Sequence, residues 1–171
     1  MEESLVLRGE RVVLRAYRDD ELDTAFSHTE DSRVGGTLSR ETIALRVDRS
    51  GRFVEGRLDL AVEADGELVG SIEARAPEGA MPPGVCELGI GLVPDVRGRG
   101  IGTEAVALLA RYLLAHGYPR VQASTDVANA AMRGALERAG FAFEGILREF
   151  MPDGDGRADY ALYALTATTA G

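Results

Sequence analysis

Apolar side chains follow two different periods along the chain, and each period predicts a different kind of element. Runs in which apolar residues alternate or follow one another predict strands at residues 11–17, 58–64, 67–74, 86–93, 120–125, 141–150 and 158–165. Apolar residues that recur every three or four positions predict helices at residues 19–28, 39–48, 103–116 and 129–139. Because this order contains both hairpins and helical crossovers, we expect an α/β (α+β) fold, with a mixed, mostly antiparallel central sheet of about seven strands flanked by about four helices.

Turn-forming residues separate these segments, and none of them marks a second domain. Asp65-Gly66 lies between two predicted strands and is a strong hairpin signal. We therefore expect a single domain over residues 1–171, with a core at about 5–165 and a frayed tail at 166–171.

The predicted strand at 86–93 has two different faces. Its side chains alternate between an apolar and a small or charged set: Cys86, Leu88, Ile90 and Leu92 against Glu87, Gly89 and Gly91. The two glycines leave space beside a carboxylate, which fits either a bound substrate or the close approach of a neighbouring helix. On the other face, Cys86 is expected to be a core residue.

The segment Arg97-Gly98-Arg99-Gly100-Ile101-Gly102 follows this strand and precedes the helix that we predict from Thr103. Glycine lets a backbone approach a ligand closely, and the first N–H groups of a helix lack an intrahelical partner and carry a partial positive charge. No serine, aspartate or asparagine lies just before Thr103 to accept hydrogen bonds from these groups. The order of strand, glycine loop and helix therefore indicates a site for a phosphate or another anion.

The charge of the chain restricts its ligands. A formal net charge of −9 argues against broad nucleic-acid binding, which needs many basic side chains. A small phosphorylated ligand needs only local positive charge, and Arg97 with Arg99 outweighs Asp95 in the loop. The acidic remainder fits a cationic second substrate such as an amine, or simply a well-solvated surface.

The sequence contains no sign of export, membrane insertion or metal binding. No apolar run approaches the ~20 residues that cross a bilayer, and the acidic start Met1–Ser4 lacks the features of a signal peptide. We therefore expect a cytoplasmic protein without a membrane partner. The lone Cys86 excludes an internal disulfide, and His28 and His116 form no ligand cluster, so no metal is expected.

The glycine loop and the order of elements resemble the GCN5-related N-acetyltransferase (GNAT) superfamily. That family's loop pattern is Gln or Arg, two residues, Gly, one residue, and then Gly or Ala. It falls here on Arg97, Gly100 and Gly102.

A second stretch is similar to one branch of that superfamily, which contains the ribosomal-protein N-terminal acetyltransferases and is called RimJ/RimL-like here. It runs from Asn129 to Phe141 and is followed by Glu144–Arg148. The opening Leu7–Arg15 also fits this branch, so the resemblance covers residues 5–165.

The resemblance implies that acetyl-coenzyme A is the co-substrate and that no metal takes part. Its pyrophosphate would lie over Arg97–Thr103, and its pantetheine arm would run along the strand end at Leu92 and Val93. Asn129 would contact it through the side-chain amide, cap the following helix, or do both. The implied cofactor-binding residues are Leu92, Val93, Arg97, Gly98, Arg99, Gly100, Ile101, Gly102, Thr103 and Asn129.

The implied reaction is direct transfer of an acetyl group to a primary amine. The amine must lose a proton, and Glu87 is the candidate base because it occupies the strand position where many relatives carry a glutamate. The alternative is that Glu87 is an exposed or salt-bridged strand residue. Backbone N–H groups near Leu92 would stabilise the oxyanion. The acceptor is either a protein N-terminus or a small amine, decided by residues 29–57, which we expect to form a mobile lip. Because relatives often dimerise, a homodimer stays open.

The acid step departs from the family pattern. Many relatives carry a tyrosine where this chain has Leu136, and the ribosomal-protein branch carries a serine where it has Met132. The thiolate of coenzyme A would then leave unaided or take its proton from Tyr160, Tyr163 or water. Glu149 either lines the amine site from the strand that follows or, as we expect, lies on a solvated strand face.

Three other interpretations can be compared with this one. Gly100, Gly102 and Ala105 with Asp126 fit a dinucleotide fingerprint, but Pro94–Gly98 intervenes between the strand and the glycines. A P-loop is excluded because no Lys-Ser or Lys-Thr follows the glycines. The stronger alternative is a regulatory module of the same fold that binds coenzyme A without transferring an acyl group.

Overall fold

Eight strands form one sheet in the computed structural model of the chain, which describes residues 4–29, 38–168 and 170. The strands are β1 (Leu7–Arg8), β2 (Val12–Arg15), β3 (Arg57–Ala64), β4 (Glu67–Arg75), β5 (Val85–Leu92), β6 (Arg120–Asp126), β7 (Ala142–Asp153) and β8 (Gly156–Thr166). The helices are α1 (Leu22–Thr29), α2 (Arg40–Arg49), α3 (Ile101–Ala115) and α4 (Ala130–Arg138). The strand order is β1-β2-β3-β4-β5-β6-β8-β7, and only β5 and β6 are parallel neighbours.

This architecture confirms the predicted class, with a mostly antiparallel sheet and helices packed on it. The sheet has one strand more than expected because Leu7–Arg8 pairs with the end of β2. Helix α1 begins at Leu22 rather than at residue 19, since the N–H of Glu21 donates to the carbonyl of Arg18 in a preceding turn.

The two faces of the sheet differ in chemistry. On one face, α3 and α4 cover a continuous apolar core to which every central strand contributes; its fully buried members include Leu60, Ile72, Cys86, Leu109, Val121, Leu136 and Tyr163. On the other face, α1 and α2 pack over β4 and β3. That second face carries most of the charged strand residues, so it is the polar side of the sheet.

The structure confirms the predicted hairpin turn and the helix predicted at residues 39–48. Asp65 and Gly66 join β3 to β4 with φ values of 53° and 80°, as the expected hairpin requires. The helix expected at 39–48 is α2, and Ser39 caps it by accepting from the N–H of Thr42 at 3.2 Å. Residues 30–37 of the expected lip lie outside the described residues.

The chain end stays on the sheet longer than expected. Thr166 still pairs with Arg120 as the last residue of β8, and the N–H of Ala167 donates to the carbonyl of Pro119 at 2.9 Å. A frayed tail from residue 166 is therefore wrong for these first two residues. Within the described ranges, no helix is both long enough and apolar enough to span a bilayer.

Candidate active site

Strands β5 and β6 pair only at one end and then part. Their pairs stop at Glu87 and Gln122, although β5 continues to Leu92 and β6 continues to Asp126 with β8 alone as its partner. We call the opening between residues 88–92 of β5 and 123–126 of β6 the wedge. Such a split sheet leaves one edge of β5 without a partner strand.

The backbone groups on that edge face the wedge at alternate residues. The N–H of Val93 donates to the carbonyl of Val69 on the β4 side at 2.9 Å. Since successive residues of a strand direct their backbone groups to opposite sides, those of Leu92 and Ile90 point towards the wedge. Leu92 thus occupies the expected binding position, whereas the N–H of Val93 is already engaged. The carbonyl of Leu92 accepts from the guanidinium of Arg97 at 2.9 and 3.1 Å.

The helix after the glycine loop begins without a side-chain cap. Gly100 is its N-cap residue at φ 80°, and the first turn of α3 starts at Ile101, two residues earlier than expected. The first paired N–H is that of Glu104, which donates to the carbonyl of Gly100 at 3.1 Å. Among the described residues, the N–H groups from Ile101 to Thr103 have no acceptor, so this helix end offers three donors to an anion.

The loop is open towards solvent on one side. A Cβ at Gly98, which has a φ of 74°, would meet nothing within 4 Å. The loop therefore forms a cradle of backbone amides that larger residues would fill. These features fit a diphosphate, because backbone N–H groups at a helix start bind anionic groups.

A basic residue that the sequence did not indicate also reaches the loop. The Nη1 of Arg11 donates to the carbonyl of Arg99 at 2.7 Å, and its Nε lies 3.5 Å from a carboxylate oxygen of Glu104. Arg97 and Arg99 lie in the loop as expected, and Arg99 pairs with Asp65 at 3.1 Å. Three guanidinium groups thus surround the cradle.

Glu104 ties the start of α3 to β2. Its carboxylate accepts from the N–H groups of Arg11 and Val12 at 2.9 and 3.1 Å. Burial alone would raise the pKa of Glu104, but these backbone hydrogen bonds and the charge of Arg11 lower it below its usual range. The ionised carboxylate therefore fixes the helix end against the sheet.

Glu87 lies at the base of the wedge, on the polar face of the sheet. Its Oε1 accepts from Arg75 at 2.6 Å, and its Oε2 accepts from the Nε2 of Gln122 at 3.3 Å. A Cβ at Gly91 would meet only the Ser71 hydroxyl at 3.9 Å, so the expected space exists there. At Gly89 that space is taken, because a Cβ would lie 3.0 Å from a carboxylate oxygen of Glu73.

The other predicted residues occupy distinct places. Asn129 caps α4 by accepting from the N–H of Met132 at 3.1 Å, which confirms its capping role. Cys86 is fully buried in the core, and burial raises the pKa of its thiol to about 11. Glu149 is exposed at an irregular part of edge strand β7, which β8 separates from β6, and it is not brought beside Glu87.

The residues considered for the acid step differ in how deeply they are buried. Leu136, at the family's tyrosine position, is fully buried in the core. Tyr163 is also fully buried, and its hydroxyl accepts from Arg133 at 3.1 Å and donates to Glu137 at 3.0 Å. Tyr160 is half-buried, and burial together with the carboxylate of Asp126 raises the pKa of its phenol. Of the two tyrosines, only Tyr160 has a hydroxyl that is not locked in the core.

A split sheet beside an uncapped helix N-terminus and a glycine cradle defines the class of acetyltransferases that use coenzyme A thioesters. The chain belongs to the acetyltransferase (GNAT) domain family, whose model matches residues 11–142. This confirms the resemblance drawn from the loop. No curated protein matched the sequence.

Solved structures of similar fold include members of the expected branch. An acetyltransferase (GNAT family) from Bacillus anthracis is 22% identical with a TM-score of 0.79, over 96% of this chain and 99% of that chain. RimL, a ribosomal L7/L12 alpha-N-protein acetyltransferase in complex with coenzyme A, is 15% identical with a TM-score of 0.78, over 95% and 98%. RimJ of Mycobacterium smegmatis, in complex with CoA-disulfide, is 22% identical with a TM-score of 0.73, over 96% and 87%.

Proposed function

We propose that this acetyltransferase moves an acetyl group from acetyl-coenzyme A to a primary amine by direct attack in a ternary complex. One observation carries the proposal: the unpaired edge of β5 at Leu92 is followed, after a short connection over residues 93–99, by the uncapped start of α3. An extended arm and a diphosphate at its end therefore find adjacent backbone donors. When bound, acetyl-coenzyme A supplies the thioester whose carbonyl carbon the amine attacks.

The glycine loop binds the diphosphate of coenzyme A, and the free edge of β5 binds its pantetheine arm. The N–H groups from Gly98 to Thr103 hold the diphosphate, with Arg97 and Arg99 adding positive charge. Leu92 and Ile90 pair with the arm through their backbone groups, as an added strand would. Asn129 contributes its side-chain NH₂, because its oxygen is engaged in the cap.

Glu87 takes the proton that the ammonium form of the acceptor must lose. Its Oε2 accepts that proton directly or through one water, and the freed nitrogen lone pair forms the new C–N bond. When the C–S bond breaks, its electron pair stays on sulfur, which takes a proton from Tyr160; the second nitrogen proton passes to solvent, and solvent restores the phenol. The N–H group of Ile90, whose carbonyl alone pairs with the arm, stabilises the negative oxygen.

Tyr160 is the candidate donor for the departing thiolate. A tyrosine phenol is protonated at neutral pH and can donate that proton, and the raised pKa of Tyr160 makes it a weaker acid than usual. It also lies opposite Asp126 in the sheet register, where β6 borders the wedge. We expect Tyr160→Phe to lower kcat while leaving the KM for acetyl-coenzyme A unchanged. An unchanged kcat would mean that the thiolate leaves without this residue.

The acceptor approaches from the polar face. A cavity of about 270 Å³ lies between α1, α2 and the end of β2, and its lining includes Tyr17, Asp19 and Asp48. We infer that the cavity leads towards the open space beside the wedge, because the side chain of Tyr17 interacts with Ser71, whose strand partner is Gly91 on β5. The carboxylates suit an ammonium group, and RimL, an alpha-N-protein acetyltransferase, supports a protein N-terminus as one acceptor class. A homodimer and a cytoplasmic location remain predictions.

The test is consumption of acetyl-coenzyme A with a panel of peptide N-termini and small amines, with products identified by mass spectrometry. Glu87→Gln should lower kcat by about 10²- to 10⁴-fold, the usual contribution of a positioned base. The matched control is Glu78→Gln, the same change at an exposed residue of the connection between β4 and β5, which should keep full activity. Equal activity of the two variants would refute the role of Glu87.

The regulatory alternative is favoured by one observation, the burial of Leu136 where relatives carry a tyrosine. This alternative predicts that coenzyme A stabilises the protein while no amine in the panel is acetylated. Turnover on any amine, abolished by Glu87→Gln, would exclude it.

A further inference from the structure

We propose that Arg75 and Gln122 are positioning residues that hold the carboxylate of Glu87 from its two neighbouring strands. The inference rests on the proposed role of Glu87 as the base. The two oxygens of that carboxylate then have separate roles, since Oε1 is fixed by the guanidinium of Arg75 and Oε2 accepts a longer hydrogen bond from Gln122.

The sheet register brings the three residues into one row. Arg75 on β4 is the direct partner of Glu87, and Glu87 on β5 is the direct partner of Gln122 on β6. The pair of Glu87 and Gln122 is also the last one before β5 and β6 part. The carboxylate of Glu87 therefore accepts hydrogen bonds from both neighbouring strands at the point where the wedge opens.

The neighbours of Gln122 decide which way its amide faces. The Nε of Arg120 donates to Oε1 of Gln122 at 3.1 Å, and arginine has no acceptor. The NH₂ end of the amide must then face Glu87, to which it donates at 3.3 Å. Arg120 is held in turn by two hydrogen bonds to Glu144, at 3.0 and 2.6 Å. This orientation matches an ionised carboxylate, which can only accept.

Arg75 is supported from the opposite side of the row. Its Nε lies 3.4 Å from a carboxylate oxygen of Glu73, and Glu73 also pairs with Arg57 on β3. Oε1 of Glu87 thus receives a short charged bond of 2.6 Å, whereas Oε2 keeps only the longer bond from Gln122. The weaker bond leaves Oε2 as the oxygen that can exchange a proton at the wedge.

If the ion pair of Arg75 and Glu87 were only structural, its loss would leave kcat unchanged. The side chain of Arg75 is 42% exposed, and partly exposed pairs add little to stability because solvent screens them. Loss of this pair should therefore leave the melting temperature nearly unchanged in either case. Only a positioning role predicts that kcat falls while the KM for acetyl-coenzyme A stays the same.

The experiment compares Arg75→Met, Arg75→Lys and Gln122→Met by steady-state kinetics on an amine that the wild-type protein acetylates. Misplacement of a reacting group by about 1 Å costs up to 10²-fold, so we expect kcat of Arg75→Met to fall about 10- to 100-fold. Arg75→Lys should recover part of the loss, because a cation remains at the carboxylate. The matched control is Arg111→Met, which removes an exposed arginine from α3 that lies outside the site.

The double variant Arg75→Met with Glu87→Gln separates this inference from the proposed function. If Arg75 acts through Glu87, Arg75→Met causes no further loss of kcat once Glu87 is changed. A further loss of the same factor would overturn the positioning role, as would full activity of Arg75→Met beside a slow Glu87→Gln. If Glu87→Gln itself keeps full activity, the proposed base fails and this inference fails with it. Should Arg75→Met not fold, Gln122→Met and Arg75→Lys give the same comparison.

Discussion

The substitution Gly100→Glu changes the residue at the start of α3, where we expect the diphosphate to bind. The residue has a φ of 80°, and a Cβ there would lie 2.7 Å from the Nη2 of Arg11. The new side chain would place bulk and a negative charge at the helix end that we assign to the diphosphate. Repulsion and displacement therefore act on the same ligand group, and we expect binding of coenzyme A to be lost.

The magnitude follows from linkage between binding and folding. Coenzyme A at 100 times its Kd stabilises the fold by about 2.7 kcal/mol. For a chain of this length, about 1 kcal/mol moves Tm by roughly 2–4 °C, so the wild-type Tm should rise by about 5–11 °C. A left-handed non-glycine residue costs about 1–2 kcal/mol by itself, so the Tm of the variant without ligand falls too. The informative quantity is the change in Tm that coenzyme A causes within each variant.

The assay is thermal unfolding with and without coenzyme A, and the matched control is Gly117→Glu. Gly117 follows the other end of α3 and has a φ of 97°, and a Cβ there would meet nothing within 4 Å. Both variants carry the same new charge and the same kind of backbone strain. The control should keep the full ligand-induced rise, whereas Gly100→Glu should show none. An equal rise in both would refute the assignment of the loop.

Two further predictions concern parts of the molecule outside the cradle. Cys86 should react slowly with alkylating reagents at about pH 8, because burial raises its pKa to about 11, and Cys86→Ala should keep its activity; fast labelling with loss of activity would contradict this. The hydrogen bonds from Arg15 lower the pKa of Glu21 below 4.5, so their stabilisation is complete above that pH and is lost as the pH falls through the lowered value. Arg15→Met should therefore show a flatter decline of unfolding free energy in acid than the wild type, and an equally steep decline would count against the pair.

The sequence alone was sufficient for features that depend on neighbouring residues. The turn at Asp65-Gly66 needs two positive φ values, and the uncapped start of α3 follows from the absence of a capping side chain before it. The face on which Glu87 lies follows from strand alternation, which the structure keeps throughout β5. These local rules located the cradle, the wedge strand and the carboxylate.

Features that depend on register or on distant contacts could not be predicted in this way. Arg11 reaches the loop across 88 residues of sequence, through the packing of α3 against β2. The partners of Glu87 follow from the register of three strands, which no residue in the strand itself specifies. The strand Leu7–Arg8 was missed because two residues are too short to show a period.

The central claim is that the wedge and the start of α3 together bind the acyl donor. A crystal structure of the protein with coenzyme A tests it most directly. We predict the diphosphate within hydrogen-bond distance of the N–H groups of Gly98–Thr103, and the arm paired with the backbone of Leu92 between β5 and β6. Coenzyme A bound elsewhere, or protein side chains filling the space between these strands, would contradict the account.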